Sequence, residues 1–414
     1  MALIDIFLSR IITDGTLTLV RTDGSSRTFG SPHPDFPNVT MRLVDPKAGR
    51  DIVLHPRLGF TEAYMDGRLT IDDDDIMGLV ALVRSNNPWE SQKNIGKAGP
   101  LRKTVKAATK RLKQANVRAA SKANVAHHYD LSGALYDLFL DKDRQYSCAY
   151  WDQPDGLRGD GLDQAQEDKK AHIAAKLALK PGMKVLDIGC GWGGMALYLH
   201  RKCGVDVTGI TLSEEQLEVA RKRAADAGVA DHVRFELIDY RDMTGTFDRI
   251  VSVGMFEHVG VPYFREFFRC CHNLLSEDGV MLLHTIGRMG GPGTTDAFTR
   301  KYIFPGGYIP ALSEILKGSE PNRLMVTDVE ALRLHYAMTT RAWYERCRAN
   351  RAEIEKLYDA KFFRMWTLYL AGATAAFEHG GMLIYQVQYA RNRRTLPITR
   401  DYMAKAEARL SASG

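Results

Sequence analysis

The chain has 414 residues, of which 45% are hydrophobic, 26% charged and 9% aromatic. That is enough for two or three domains with at least one large core, and it excludes a disordered, fibrous or membrane-spanning class. Basic residues outnumber acidic ones by 56 to 50, a net charge of +6 that permits a phosphate or anionic surface as partner without demanding one. The six cysteines form no Cys-x-x-Cys pair and no His-Glu-x-x-His occurs, so neither a disulfide framework nor a metal site is expected. No basic stretch followed by an apolar run opens the sequence. The longest tempting charge-free stretch, Met365 to Phe377, falls short of the ~20 residues a span requires, and the expected location is the cytoplasm.

In residues 1–95, the runs Leu17 to Val20, Val39 to Val44 and Asp51 to Leu54 are separated by Asp23-Gly24 and by the proline-rich Ser31 to Pro37. They predict a small strand-rich sheet, followed by helices over Phe60 to Tyr64 and Ile76 to Val83, together a separate α+β domain. The acidic run Asp72 to Asp75 lacks the spacing of a calcium loop and reads as a helix start. Between Ser91 and Tyr129 there are ten basic residues and no Asp or Glu. On a helix, Leu101, Val105, Ala108 and Leu112 would form an apolar stripe opposite Lys103, Lys106, Lys110 and Lys113. Residues 96–122 are therefore expected to form a basic amphipathic linker helix, which suits an anionic surface and equally a solvated connection. In 123–414, the runs Lys184 to Ile188, Val205 to Ile210, Val233 to Ile238, Phe247 to Val253 and Val280 to His284 alternate with helical stretches. This order predicts a mostly parallel α/β sheet with its ligand at the carboxyl ends of the strands.

Between the first of these strands and its helix lies Asp187-Ile-Gly189-Cys-Gly191-Trp192-Gly193-Gly194. Glycines let the backbone turn tightly and let a ligand approach it, a property shared by dinucleotide and adenosyl-cofactor binders. A dinucleotide site would carry an acidic residue at the end of the second strand, where this chain has Thr211-Leu212-Ser213. Asp187 instead puts a carboxylate beside the glycines, which suits a cofactor with an ammonium group and points to S-adenosylmethionine. Ser213 with Gln216 forms a capping-box pattern, while hydroxyl and amide groups from Thr211 to Gln216 can face a ribose. Asp239-Tyr240-Arg241, after the third strand, stands where an adenine would be gripped.

Further motifs appear in order: Tyr146-Ser-Cys-Ala-Tyr-Trp151, Gly254-Met-Phe-Glu-His-Val-Gly260, Leu283-His-Thr-Ile-Gly287, Lys301-Tyr-Ile-Phe-Pro-Gly-Gly307, His335-Tyr336 and Trp343. Together these resemble the cyclopropane fatty acid synthases and the mycolic acid cyclopropane synthases, over roughly residues 122–394. The resemblance implies a Rossmann-like class I S-adenosylmethionine methyltransferase sheet. It also implies methylene transfer from that cofactor to the cis double bond of an unsaturated phospholipid acyl chain. An alkene is a poor nucleophile, so such an enzyme must align it with the sulfonium methyl and keep water from the carbocation. Phe256, Tyr302, Phe304, Tyr336 and Trp343 are the aromatic candidates for facing that cation, each also an ordinary core residue.

Ring closure needs a base, which the resemblance implies is a bicarbonate held by Cys148, Glu257, His284, the backbone at Ile286, and Tyr336. It likewise implies cofactor contacts from Tyr129, Tyr146 and Ser147. A buried filler role for Cys148, a satisfied core role for His284 and a capping role for Glu257 are the ordinary alternatives. The resemblance gives the basic segment 97–122 a reason to meet an anionic membrane, and peripheral association with the inner face of the membrane is expected. A methyl-branched product and a non-catalytic lipid-binding protein are the alternative outcomes. No nucleic-acid partner is expected, and the sequence is compatible with a homodimer.

Overall fold

The computed structural model describes residues 2–55, 58–91, 131–152 and 161–412, so the expected basic helix and Tyr129 lie outside the described residues. The chain forms two compact units, one of Met1–Lys103, Thr295–Pro305 and Thr340–Gly381, the other of Thr104–Thr294, Gly306–Thr339 and Met382–Gly414.

The first unit opens with α1 (Leu3–Ile11), β1 (Gly15–Val20), β2 (Ser26–Ser31), β3 (Asn38–Leu43), α2 (Pro46–Leu54), α3 (Gly59–Met65), β4 (Leu69–Ile71) and α4 (Ile76–Ser85). Its sheet has the order β2-β1-β3-β4. Alternation along β1 buries Leu17 and Leu19, which is the period of a strand with one face on the core. Asp51 to Leu54, expected as part of the strand-rich region, instead ends α2. Pro46 opens that helix and the Asp45 side chain accepts from the Lys47 N–H, a start signal that outweighs the short apolar run. Asp75 caps α4 by accepting from the Gly78 N–H at 2.8 Å, as the helix-start reading of the acidic run requires.

The second unit follows with α5 (Gly133–Phe139), α6 (Leu162–Lys176), β5 (Lys184–Ile188), α7 (Gly194–Cys203), β6 (Asp206–Thr211), α8 (Glu214–Asp226), β7 (Val233–Leu237), β8 (Phe247–Val253), α9 (Phe264–Leu274), β9 (Leu275–Arg288), α10 (Leu312–Ser319) and β10 (Met325–Leu332). The chain continues through α11 (His335–Ala349), α12 (Arg351–Leu357), α13 (Ala360–Glu378), β11 (Met382–Ala390) and α14 (Asp401–Ala412). The strand order is β10-β11-β9-β8-β5-β6-β7, with β11 antiparallel to both neighbours and the other strands running one way. Val185, Val251 and Leu282 face one apolar layer while Leu186, Ile250 and Leu283 face the other, so the central strands are buried on both sides and read as continuous apolar runs.

This is the expected α/β class with an additional α+β unit, but the units do not follow the expected partition into 1–95, 96–122 and 123–414. Thr295–Pro305 and Thr340–Gly381 group with the N-terminal residues, where α13 packs on α3 and α4. Among the described residues no helix is long and apolar enough to cross a membrane.

Candidate active site

The strand order reverses between β5 and β8, and a cleft opens at the carboxyl ends of these strands and of β6. That is where an open α/β sheet leaves room for a ligand. Gly189 and Gly191 turn the chain there with φ of 83° and 53°, and the Gly189 and Cys190 N–H groups donate to the Ile210 carbonyl at 2.9 and 3.0 Å. A side chain at Gly189 would meet Met255 Cβ at 2.8 Å, so the turn demands glycine.

Of the residues singled out in the sequence, Tyr146, Ser147, Asp187, Gly189, Gly191, Trp192, Thr211, Leu212, Gln216, Asp239, Tyr240 and Arg241 line this one cleft. Two others do not. Gly193 serves packing, since a Cβ there would lie 2.7 Å from the Phe235 ring. Ser213 caps α8, accepting from the Gln216 N–H at 3.3 Å. The Thr211 hydroxyl donates to Gln216 Oε1 at 2.9 Å, and Asp239 holds the Arg241 guanidinium at 2.8 and 2.5 Å.

Asp187 is 2% exposed, and its Oδ2 has no hydrogen-bond partner among the described residues. Burial pushes its carboxyl up to about 7, against the pull of the Lys169 ammonium. A dry carboxylate of this kind is unfavourable until a cation meets it. The ammonium of an adenosyl amino acid is such a cation, and the donors and acceptors around the cleft fit that molecule.

The sequence did not mark several lining residues. Arg144 is fixed by Asp137 through two bonds of 2.6 Å and lies over the Trp192 ring at 5.1 Å, while Gln145 and His258 complete the wall. His258 stands inside a quoted motif and could have been named; burial lowers its pKa to about 4. Nothing in the sequence distinguishes Arg144 or Gln145 from surface polar residues.

Just past the end of β8, against the last part of β9, a second group forms. The Gly254 N–H donates to the His284 carbonyl at 2.9 Å, and the Ile286 N–H donates to Glu257 Oε1 at 2.5 Å. Glu257 Oε2 and His284 Nε2 are buried without a hydrogen-bond partner among the described residues. Burial raises the Glu257 carboxyl to about 7 and drives the His284 imidazole well below its ordinary value. His284 Nδ1 lies 3.1 Å from Gln386 Nε2 on β11. Cys148 is buried with its thiol pushed up and 3.2 Å from the Ala149 carbonyl. Next to it, the Ala149 N–H and Trp151 Nε1 both donate to Thr339 Oγ1 at 3.1 Å, which ties this segment to α11 one turn beyond the buried Tyr336.

Among the other aromatic candidates, Phe256 belongs to the core, stacked on Phe264 with centroids 4.2 Å apart. Tyr302, Phe304 and Trp343 fall in the other unit, where the Tyr302 hydroxyl donates to Glu62 at 3.0 Å. His200, Asp206 and His232 place possible ligand atoms within 4.8 Å of one another at the opposite, amino-terminal edge of the sheet. There the His232 Nδ1 donates to Asp206 at 2.7 Å and the His200 Nδ1 to the Val205 carbonyl at 2.8 Å.

The sequence matches the mycolic acid cyclopropane synthetase family over residues 116–387. It is 42% identical to a probable fatty acid methyltransferase of Pseudomonas putida, over 67% of this chain and 73% of that protein. It is 37% identical to the cyclopropane-fatty-acyl-phospholipid synthase of Escherichia coli K12, over 85% of this chain and 87% of that one. The solved cyclopropane synthase MmaA2 of Mycobacterium tuberculosis superimposes with a TM-score of 0.61 at 32% identity, covering 65% of this chain and 98% of the other. The mycolic acid cyclopropane synthase CmaA1, solved with SAH and CTAB, does so with a TM-score of 0.60 at 34% identity and the same coverage. The chain therefore belongs to the mycolic acid cyclopropane synthetase family and is a methyltransferase whose methyl donor is S-adenosylmethionine.

Proposed function

We propose that this protein is a cyclopropane fatty acid synthase that adds a methylene to the cis double bond of an unsaturated phospholipid acyl chain. The observation that carries this reading is the pair of buried groups where the segment after β8 meets β9. Glu257 is anchored on the Ile286 N–H, while its second oxygen and His284 Nε2 have no polar partner among the described residues. Adding a methyl to an alkene leaves a carbocation that must lose a proton, from the transferred methyl when the ring closes, and a buried polar pocket that can hold a base supports that step.

The sulfonium of S-adenosylmethionine supplies an electrophilic methyl. Asp187 holds the cofactor's ammonium, and Tyr146, Ser147, Trp192 and Tyr240 form walls of the cleft around it. Closing that cleft excludes water from a chain carrying positive charge. A bicarbonate would be held by Glu257, His284 and the backbone at Ile286, with Cys148 and Tyr336, and would supply the base. With its carboxyl raised to about 7, Glu257 can hold or release a proton near neutral pH. Peripheral binding to an anionic membrane through residues 97–122 completes the reading, and doubling ionic strength with neutral vesicles should then weaken sedimentation with lipid.

A second reading, a C-methyltransferase giving a methyl-branched unsaturated chain, is favoured by the 42% identity to the Pseudomonas putida relative. Mass spectrometry of acyl chains separates the two after incubation with unsaturated phospholipid vesicles and trideuteromethyl S-adenosylmethionine. Two deuteriums in a product without the double bond support ring closure. Three deuteriums with unsaturation retained overturn it, and no label at all supports a non-catalytic lipid-binding protein.

A further inference from the structure

Two lysines stand side by side on α6, both within 2% of complete burial, and their surroundings differ. Lys170 Nζ meets two carboxylates, Asp143 at 2.6 Å and Glu167 at 2.7 Å. Lys169 Nζ has only neutral acceptors, Gln145 Oε1 at 2.5 Å and Ser147 Oγ at 2.9 Å, and no carboxylate forms an ion pair with it among the described residues. A buried ammonium without a direct counter-ion is unfavourable for folding, and such groups gather where a field is needed at a functional site. Gln145 and Ser147 both line the cofactor cleft, as does Asp187, the carboxylate on which Lys169 acts through space.

We propose that Lys169 is a positioning residue of the cofactor site. Its ammonium fixes the Gln145–Ser147 wall of the cleft and, from behind that wall, favours the charged form of Asp187 that receives the cofactor's ammonium group. The inference rests on the proposed cofactor role of Asp187, and it assigns that role a dependence on a residue outside the cleft.

The charged and titratable groups around Lys169 are Asp141 and Asp143 in the loop after α5, Lys170 on its own helix, Cys148, Asp187 on β5 and His284 on β9. Burial lowers the Lys169 ammonium to about 8, with Asp141 opposing the shift. Affinity for the cofactor product should therefore have two limbs. It falls on the acid side as Asp187, raised to about 7, takes up a proton, and on the alkaline side as Lys169 loses one.

The test is isothermal titration of the full chain with S-adenosylhomocysteine between about pH 6 and pH 9. Lys169→Met should weaken binding by roughly tenfold or more near neutral pH, move the acid limb upward and remove the alkaline limb. Lys169→Arg keeps the charge across the range, so it should preserve the acid limb and remove only the alkaline one; it also serves if the methionine variant does not fold. A Lys169→Met protein with wild-type affinity and limbs overturns the proposal, as does a loss of affinity equal at every pH, which marks a packing role alone. Retention of the alkaline limb in Lys169→Arg overturns it as well. Absence of binding by the wild-type chain is the distinct result that removes the cofactor reading itself and this proposal with it.

Discussion

At the carboxyl end of β5, Asp187 is 2% exposed and one of its oxygens has no partner among the described residues. At the amino end of the adjacent β6, the Asp206 side chain is 50% exposed and receives the His232 Nδ1 at 2.7 Å. Both are aspartates on neighbouring parallel strands of one sheet. The second is an ordinary solvated pair, worth at most about 1 kcal/mol. The first opposes folding until something positive arrives, because burial stabilises its neutral form. A dry, unmet carboxylate at the edge of the sheet where the strand order reverses marks the ligand end; a wet, satisfied one at the other edge marks the support.

The largest expected effect that can break this contrast comes from Asp187→Asn. It should weaken S-adenosylhomocysteine binding by about 100-fold, the scale of removing a charged partner from a buried site, as read by titration calorimetry. Affinity within a few-fold of wild type would show that the orphaned carboxylate is not held for the cofactor. Glu257→Gln should separate the two halves of the site. It should keep S-adenosylhomocysteine affinity while turnover on unsaturated phospholipid falls by roughly 100-fold, within the range for loss of a proton-transfer group. A near-normal rate would remove Glu257 from the proposed cradle.

The third effect is on the ligand-free protein. A carboxyl near 3.8 in the unfolded chain and about 7 when folded binds its proton more tightly in the folded state, so stability contributed by Asp187 is present below the lower value and is lost as pH rises through this window. Glu257 acts with the same sign. The denaturation midpoint of Asp187→Asn should therefore decline less than that of wild type between about pH 4 and pH 7, and equal slopes would contradict the burial argument. The smallest effect is at the opposite edge, where His232→Ala should shift stability by about 0.5 kcal/mol or less and leave cofactor affinity unchanged.

The parallel strands were legible because burial on both faces writes nearly continuous apolar runs, and Phe247–Val253 is a strand over the full expected span. The glycine turn was legible for a similar reason, since its residues must allow positive φ and close approach. Other features gave weaker signals. α1 was not anticipated, and the exposed β10 shows little apolar pattern. β11 is buried along almost its whole length, so periodicity alone does not separate it from a buried helix. The grouping of Thr340–Gly381 with the N-terminal residues depends on tertiary packing of α13, which no local signal reports. In the site, charge identity was readable and burial was not. Asp187 could be named from its place before the glycines, while Lys169 looks in sequence like its neighbour Lys170 and differs only in what each ammonium touches.

The reversed direction of β11 brings Gln386 opposite His284, across a sequence separation of 102 residues. Lys176 can only donate, so Gln386 turns its oxygen to that ammonium, at 2.7 Å, and presents its NH2 to His284 Nδ1. The nitrogen facing Gln386 must then accept, and a neutral imidazole held in this way carries its hydrogen on Nε2. The ring consequently offers the pocket a proton rather than a lone pair, a polarity that welcomes an oxyanion and turns a metal cation away. The tautomer of His284 is thus written by an amide on the one strand that runs against the rest.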